Sequence, residues 1–337
     1  MTKKERVIAA LNHQETDFIP YQVDFTHEAN EKMAAFYNNK DFYAGIGNHM
    51  ISAYYDGDPR PIPGKEGYFK DDFGVIWNRN GADKDIGVVE SLMIPEPSLD
   101  MYKFPAVPEA KIRKRCEDAL ANAGDLFTLG ALGFSLFERA WTLTGMENLL
   151  EYMITEPDFV TQLLGAITDF NLQVVKIYLE YDFDCIFFGD DWGQQQGLIM
   201  GPVMWRKFIK PHLAKMYSLG REKGRFIGQH SCGDIQEIYP DLIDLGLSVH
   251  QTFQPEIYDI GEIKSLYGDR LSFWGGISTQ RLLPFETPEN LVVKVEEILR
   301  VIGKGGGYIA APTHAIPSDV PGENIDALIK LLRNQGR

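Results

Sequence analysis

The chain has 337 residues, a formal net charge of −15 and a hydrophobic content of 44%. This length fits either two ordinary domains or one large α/β barrel, and the apolar content is sufficient for a substantial core. The acidic balance argues against nucleic acid or an anionic membrane as the main partner, because both are bound by clustered Lys and Arg.

The three cysteines, Cys116, Cys185 and Cys232, are widely spaced and form no C-x-x-C pair. An odd number of scattered cysteines does not suit a disulfide framework and indicates a reducing compartment, so we expect a cytoplasmic protein. The apolar stretch at residues 7–11 is too short for a signal peptide. No apolar run approaches the roughly 18 residues of a membrane span.

The first third of the chain begins with regular elements and then changes character. Residues 3–13 predict a short helix, residues 18–24 a strand and residues 28–38 a second helix. Residues 54–108 hold many of the prolines, several glycines and short alternating runs. We interpret this stretch as an inserted flap with a hairpin or small sheet, because its apolar content is thin for an independent domain.

From residue 110 onwards, helices and short apolar runs alternate regularly, which is typical of parallel βα units. Two of the helices follow Thr287 and Pro321, which are residues typical of helix starts. With the N-terminal strand we count seven strands. We predict one α/β domain over residues 1–337, a (β/α)8 barrel of the TIM type with one strand missed or distorted and an insertion at approximately 54–108. The other six predicted strands are residues 126–130, 185–188, 226–228, 248–252, 271–274 and 308–311.

The segment His230-Ser231-Cys232 closes one of these apolar runs. Residues two apart on a strand point to the same side, so the imidazole and the thiol can bind one metal ion, and zinc suits this pair best. His314 ends another strand-like run and is too distant in sequence for a zinc finger, but it fits a site assembled from several strand ends. The alternative is that His230 is a core histidine and Cys232 an inert buried thiol.

Further polar side chains follow other strands, where the catalytic residues of such barrels lie. Each has a structural alternative: Asp190 or Asp191 could cap a helix, Glu138 could pair with Arg139, and His27 or Glu256 could lie outside the pocket. The loop at residues 303–307 is glycine-rich, but it joins a helix to a strand, which is the wrong order for a phosphate site. The candidate residues are Asp24, His27, Glu138, Asp190, Asp191, Trp192, Gln254 and Glu256.

Six collinear segments give the chain a resemblance to a known family. It resembles the uroporphyrinogen decarboxylase superfamily, and it is closer to the zinc-dependent, corrinoid methyltransferase-like branch than to the haem-pathway decarboxylase. The superfamily fold is a (β/α)8 barrel, in agreement with the alternation. The segments are LFERAW at 136–141, GDDWG at 189–193, QHSCGD at 229–234, QPE at 254–256, FWGGI at 273–277 and DVPGEN at 319–324.

One departure from the decarboxylase pattern concerns charge. The decarboxylase has an R-Q-A-G-R-Y segment after its first strand, whose arginines bind substrate carboxylates. Here residues 24–28 read DFTHE, with acidic groups and no arginine. A tetrapyrrole with many carboxylates needs several fixed cations, so the negative charge of this segment at the pocket entrance is unfavourable for it.

The resemblance to the methyltransferases implies a zinc site and assigns roles. His230, Cys232 and His314 are the expected ligands, with Glu138 as a possible fourth; thiol-methylating members commonly have Cys in place of His314. Glu138, Asp190 and Asp191 are expected to be catalytic, with the aspartates orienting substrate or a ligand histidine. The expected pocket-lining residues are Asp24, His27, Trp192, Gln254 and Glu256.

The activity implied is transfer of a methyl group between a small substrate, either a thiol, a methyl ether or a methylamine, and a corrinoid (cobalamin) on a corrinoid-binding partner protein. The chain could also form a homo-oligomer. One alternative is a metal-free decarboxylase of a carboxylated, tetrapyrrole-type substrate, which needs arginines such as Arg60, Arg79 or Arg139. The other is a non-enzymatic binder of a corrinoid, a porphyrin or a metal.

Overall fold

The computed structural model describes residues 1–81 and 84–335. Seven of its strands form one parallel sheet in the order β1-β6-β7-β8-β9-β10-β11, and the other four form a separate antiparallel sheet. The strands are β1 (Met50–Tyr55), β2 (Arg60–Ile62), β3 (Lys65–Lys70), β4 (Ile76–Asn78), β5 (Val88–Ser91), β6 (Phe127–Leu132), β7 (Cys185–Gly189), β8 (Phe226–His230), β9 (Val249–Phe253), β10 (Ser272–Ile277) and β11 (Tyr308–Pro312).

Helices connect the parallel strands and cover the outside of the sheet. They are α1 (Lys3–Leu11), α2 (His27–Phe36), α3 (Glu109–Ala121), α4 (Phe137–Thr144), α5 (Met146–Thr155), α6 (Pro157–Leu179), α7 (Gly201–Met204), α8 (Lys210–Glu222), α9 (Tyr239–Leu245), α10 (Ile260–Tyr267), α11 (Leu282–Phe285), α12 (Pro288–Ile302) and α13 (Gly322–Arg333). A π-helical turn, Trp205–Ile209, joins α7 to α8, and 3₁₀ turns span Phe42–Gly45 and Gln236–Ile238. Thr287 caps α12 with its side chain, as its sequence predicted.

The barrel closes through an irregular segment between β11 and β1. The strand predicted at 18–24 makes only isolated parallel bridges, which include Tyr21 with Ala310. On the side facing β1, the main chain of Val23 is hydrogen-bonded to the side chain of Asn48. The N–H of Val23 donates to Oδ1 and its carbonyl accepts from Nδ2, both at 2.9 Å. The predicted (β/α)8 barrel with a flap is confirmed, and β1 is the strand that the sequence analysis missed.

The flap is the antiparallel sheet of β2 to β5, and a buried ion pair ties it to the barrel. Arg139 in α4 donates to Oδ2 of Asp71 at 2.7 Å and to the carbonyl of Asp56 at 2.6 Å. Its guanidinium lies over the ring of Phe73, 4.1 Å from the centroid. Each side chain of the ion pair is 1% exposed, so the charges are shielded from water.

Two apolar layers hold the fold together. The larger lies between the strands and the outer helices, and the smaller lies inside the barrel, where Val7 and Leu11 of α1 cover one end. Within residues 1–81 and 84–335, no helix combines the length and the apolar character that crossing a membrane requires. The three cysteines are free thiols.

Candidate metal centre and substrate pocket

The three predicted ligands lie together at the carboxyl end of the barrel strands. His230 is the last residue of β8, Cys232 follows two positions later, and His314 follows β11. One ligand atom from each lies within 4.8 Å of the others. Sγ of Cys232 is 3.6 Å from Nε2 of His230. Because β11 is three strands from β8 in the sheet, only the curl of the barrel brings His314 to the other two.

Gln251 holds the His230 ring from the neighbouring strand. The two residues are paired in the β8–β9 register, and Nδ1 of His230 is hydrogen-bonded to Oε1 of Gln251. With Nδ1 occupied, Nε2 faces Cys232. The sequence analysis missed Gln251; the available signal was a polar side chain inside the predicted strand 248–252.

Asp191 contacts both residues of the H-x-C segment. Its Oδ1 accepts the main-chain N–H of Cys232 at 2.8 Å and lies 3.3 Å from Nε2 of His230. Burial acts to raise the pKa of Asp191, but hydrogen bonds from His230 and Cys232 hold it at about 2. At neutral pH Asp191 is therefore an anion in contact with both His230 and Cys232.

Negative charge is concentrated around His230. Burial acts to lower the pKa of its imidazole, but Cys232 and Asp191 outweigh burial and raise the pKa well above its ordinary value. Glu138 is also close: burial, followed by the charges of Asp191 and Asp190, raises its pKa well above the usual range. These shifts are those expected where several acidic groups lie close to one imidazole in a partly buried cluster.

Asp190 lies behind the site and caps α4. Its side chain is fully buried, and burial raises its pKa to about 6 despite the N–H groups that favour the anion. It fixes the main chain of Glu138 and so acts at a distance from any substrate. Its donors are the main-chain N–H groups of Leu136 at 3.3 Å, Phe137 at 3.0 Å and Glu138 at 2.8 Å, and the indole N–H of Trp192 at 2.6 Å.

Three residues expected to line the substrate pocket lie elsewhere. Trp192 is completely buried, with its ring against Trp205, and so it is a packing residue. Gln254 is also buried, and its Oε1 accepts the N–H of Gly233 at 2.9 Å, which supports the loop after Cys232. Glu256 accepts a hydrogen bond from Ser278 and lines a separate cavity of 600 Å³ between α10 and α12.

Two cavities lie near the candidate residues, and His314 lines the first of them. The first, of 880 Å³, is lined by His27 and His314 and by flap residues that include Ile86. The second, of 530 Å³, is lined by Asp24. Tyr54 at the end of β1 lines both cavities. The sequence analysis did not identify Tyr54, because the end of β1 falls within the segment 54–108 that was interpreted as an insertion.

Curated relatives share low identity with the chain. One, a uroporphyrinogen decarboxylase from Coxiella burnetii, is 24% identical over 189 residues, 53% of this chain and 48% of the relative. Another, a methylated-thiol–coenzyme M methyltransferase from Methanosarcina mazei, is 22% identical over 197 residues, 58% of this chain and 50% of the relative. The chain thus spans about half the length of the curated relatives it matches.

A solved methyltransferase from Methanosarcina mazei has the same fold. It superposes with a TM-score of 0.71 at 20% identity, covering 99% of this chain and 98% of that one. Residues 110–335 match the family described as uroporphyrinogen decarboxylase (URO-D). Because this region is more than half of the chain, the protein belongs to the uroporphyrinogen decarboxylase family, as its sequence motifs predicted.

Proposed function

We propose that the chain is a zinc-dependent methyltransferase that moves a methyl group between a small substrate and a corrinoid on a partner protein. The convergence of His230, Cys232 and His314 within 4.8 Å carries this proposal. It is supported by the similarity to a methylated-thiol–coenzyme M methyltransferase and by the fold shared with a solved methyltransferase structure. The 880 Å³ cavity beside His314 is the proposed approach for substrate and partner.

The donor set fits a catalytic zinc ion. Two imidazoles and one thiolate are typical zinc ligands, and three protein ligands leave one position open for a substrate. Within the part of the chain that the structure describes, Glu138 does not belong to the group of converging ligand atoms. When bound, zinc would supply Lewis acidity to a substrate thiol or to the heteroatom that carries the methyl group.

The surrounding residues have separate proposed roles. Gln251 accepts a hydrogen bond from Nδ1–H of His230, and Asp191 accepts one from the main-chain N–H of Cys232 and holds it in place. The raised pKa of Glu138 favours its protonated form, and this proton is the one donated to a departing heteroatom. In this proposal Glu138 is a proton donor and Asp191 a positioning residue.

Decarboxylation of a tetrapyrrole-type substrate is disfavoured by the positions of the arginines. Arg139 is buried against Asp71, and Arg60 pairs with Asp72. Arg79 stacks on Phe69 and donates to a main-chain carbonyl of the flap. All three of the arginines considered for carboxylate binding therefore have structural roles in or beneath the flap.

Metal content measured by mass spectrometry tests the proposal. We expect about one zinc per wild-type chain, lost in Cys232→Ala and in His314→Ala. Cys185→Ala is the matched control, because Cys185 is a buried thiol within β7, and it should retain zinc. Zinc-loaded protein should then exchange methyl groups with methylcobalamin. A wild-type protein without zinc, or zinc retained in both ligand variants, would remove the proposal.

A further inference from the structure

The irregular closure of the barrel leaves a cavity at the seam between residues 20–25 and β1. The cavity has a volume of 530 Å³ and is lined by Gln22 and Asp24 on one side and by Ser52 and Tyr54 on the other. The side chains of Asp24, Ser52 and Tyr54 are exposed although they lie on barrel segments. The surface that they expose is therefore the wall of this cavity.

Asp24 places one negative charge on the cavity wall. Its Oδ1 accepts from the Tyr43 hydroxyl at 2.6 Å and from Nε2 of Gln22 at 3.0 Å, and both donors are neutral. Among residues 1–81 and 84–335, no Lys, Arg or His forms an ion pair with Asp24. Surrounding protein raises the pKa of this carboxyl, as expected for an anion that lacks a counter-charge.

Aromatic rings supply much of the remaining wall. Tyr43, Tyr54, Phe187 and Trp274 all line the cavity. The rings of Phe187 and Trp274 lie 5.4 Å apart. Aromatic faces attract cations through their quadrupole, and an aromatic lining with a carboxylate is the usual recognition chemistry for methylated ammonium groups. The cation that lines this cavity, Lys3, comes from α1 and lies at the opposite end of the barrel.

The seam cavity adjoins the cavity that His314 lines. The carbonyl of Asp24 accepts the N–H of Ile316, two residues after His314, at 2.8 Å. Tyr54 lines both this cavity and the one that contains His314. The Tyr54 side chain therefore lies between a small molecule anchored at Asp24 and the cavity that His314 lines.

We propose that the substrate carries a methylated ammonium group, which binds in the seam cavity with its positive charge at Asp24 and its methyl groups against the aromatic rings. The identity of the transferred group rests on the proposed function, whereas binding of the cation needs no metal. A neutral thiol or ether would leave the Asp24 carboxylate without a counter-charge, and an anionic substrate would add a like charge.

Three probes of similar shape separate charge from size: tetramethylammonium, neutral tert-butanol and anionic pivalate. Each is titrated into the purified protein and followed by ligand-observed NMR. We expect tetramethylammonium to bind at least about tenfold more tightly than tert-butanol, and pivalate more weakly than either. Asp24→Asn keeps an acceptor for Tyr43 and should abolish the preference for the cation. Asp319→Asn is the control, because Asp319 lines only the cavity that contains His314.

Equal binding of tetramethylammonium and tert-butanol, or cation binding unchanged in Asp24→Asn, would overturn the proposal. So would a preference for pivalate. These outcomes are independent of the zinc measurement: a protein that binds zinc but not tetramethylammonium keeps the proposed methyl transfer and loses the cationic substrate. A protein that binds tetramethylammonium without zinc keeps the cation site and loses the metal-dependent chemistry.

Discussion

Nδ1 of His230 and Oε1 of Gln251 are hydrogen-bonded across the β8–β9 pair, where the two residues occupy matched positions. In the neutral form of His230, which is the form that binds a metal, a hydrogen bond from Nδ1–H to the amide oxygen leaves the ring lone pair on Nε2. Nε2 is the nitrogen that faces Sγ of Cys232, at 3.6 Å. Gln251 therefore determines which His230 nitrogen is available to a metal, although it contributes no ligand atom.

Replacement of Gln251 by Leu should weaken zinc binding about 10- to 100-fold, because the His230 ring loses the partner that fixes its tautomer and orientation. Competition with a chromogenic chelator measures this affinity. Gln251→Glu retains an acceptor oxygen and should bind zinc nearly as tightly as the wild type. If the Leu variant bound zinc with unchanged affinity, Gln251 would be a packing residue only.

Changing Asp190 to Asn should mainly lower stability, whereas changing Asp191 to Asn should mainly weaken zinc binding. Asp190→Asn should lower the free energy of unfolding by about 1–3 kcal/mol, because the buried N–H groups at the start of α4 lose a charged acceptor. Asp191→Asn should affect stability less and weaken zinc binding by at least about tenfold. Urea unfolding and zinc competition on both variants test this division, and equal effects on both quantities would contradict it.

The strands predicted from apolar runs after residue 110 all form, because a strand buried on both faces needs a continuous apolar sequence. The strand β1 was missed for the opposite reason. Ser52 and Tyr54 face a cavity rather than packed side chains, so the apolar run is broken. The segment at 18–24 has the sequence of a strand, but the Asn48 side chain takes the place of a neighbouring main chain.

The candidate site likewise contains residues that the sequence predicts and residues that it does not. His230, Cys232 and His314 were predicted because their side chains have metal-binding chemistry, which can be read from residue type. Gln251 and Tyr54 were not predicted, because their roles depend on strand register and on the seam. Residue type also gave a wrong prediction for Trp192. An indole with an N–H donor beside the site was expected to line the pocket, but the side chain is completely buried.

Loss of the charge on Asp71 should destabilise the fold strongly. Asp71→Asn leaves the Arg139 guanidinium buried without a counter-ion, and breaking such a pair typically costs about 3–5 kcal/mol. Asp118→Asn is the control: Asp118 pairs with Lys114 on the surface, and its loss should cost less than about 1 kcal/mol. Urea unfolding of the two variants gives the comparison. Similar losses in both would show that the buried pair does not anchor the flap.

His49 should make the fold less stable in mild acid. Its imidazole is 1% exposed, and Nε2 lies 3.1 Å from Nη1 of Arg6, which donates to it. Burial, followed by the positive charges of Arg6 and Lys3, lowers the pKa of His49 from 6.5 to about 4. Above pH 6.5 the ring is neutral in both the folded and the unfolded chain, so its contribution to stability is fully present there.

As the pH falls from 6.5 towards 4, the unfolded chain takes up a proton at His49 and the folded chain does not. The free energy of unfolding should therefore fall by about 1.4 kcal/mol per pH unit, up to a loss of roughly 3 kcal/mol. Carboxylates titrate in the same range, so the informative quantity is the difference between the wild type and His49→Gln, whose amide oxygen can still accept from Arg6. Urea unfolding at several pH values should show a shallower acid slope in the variant, and parallel curves would mean that His49 is protonated equally in both states.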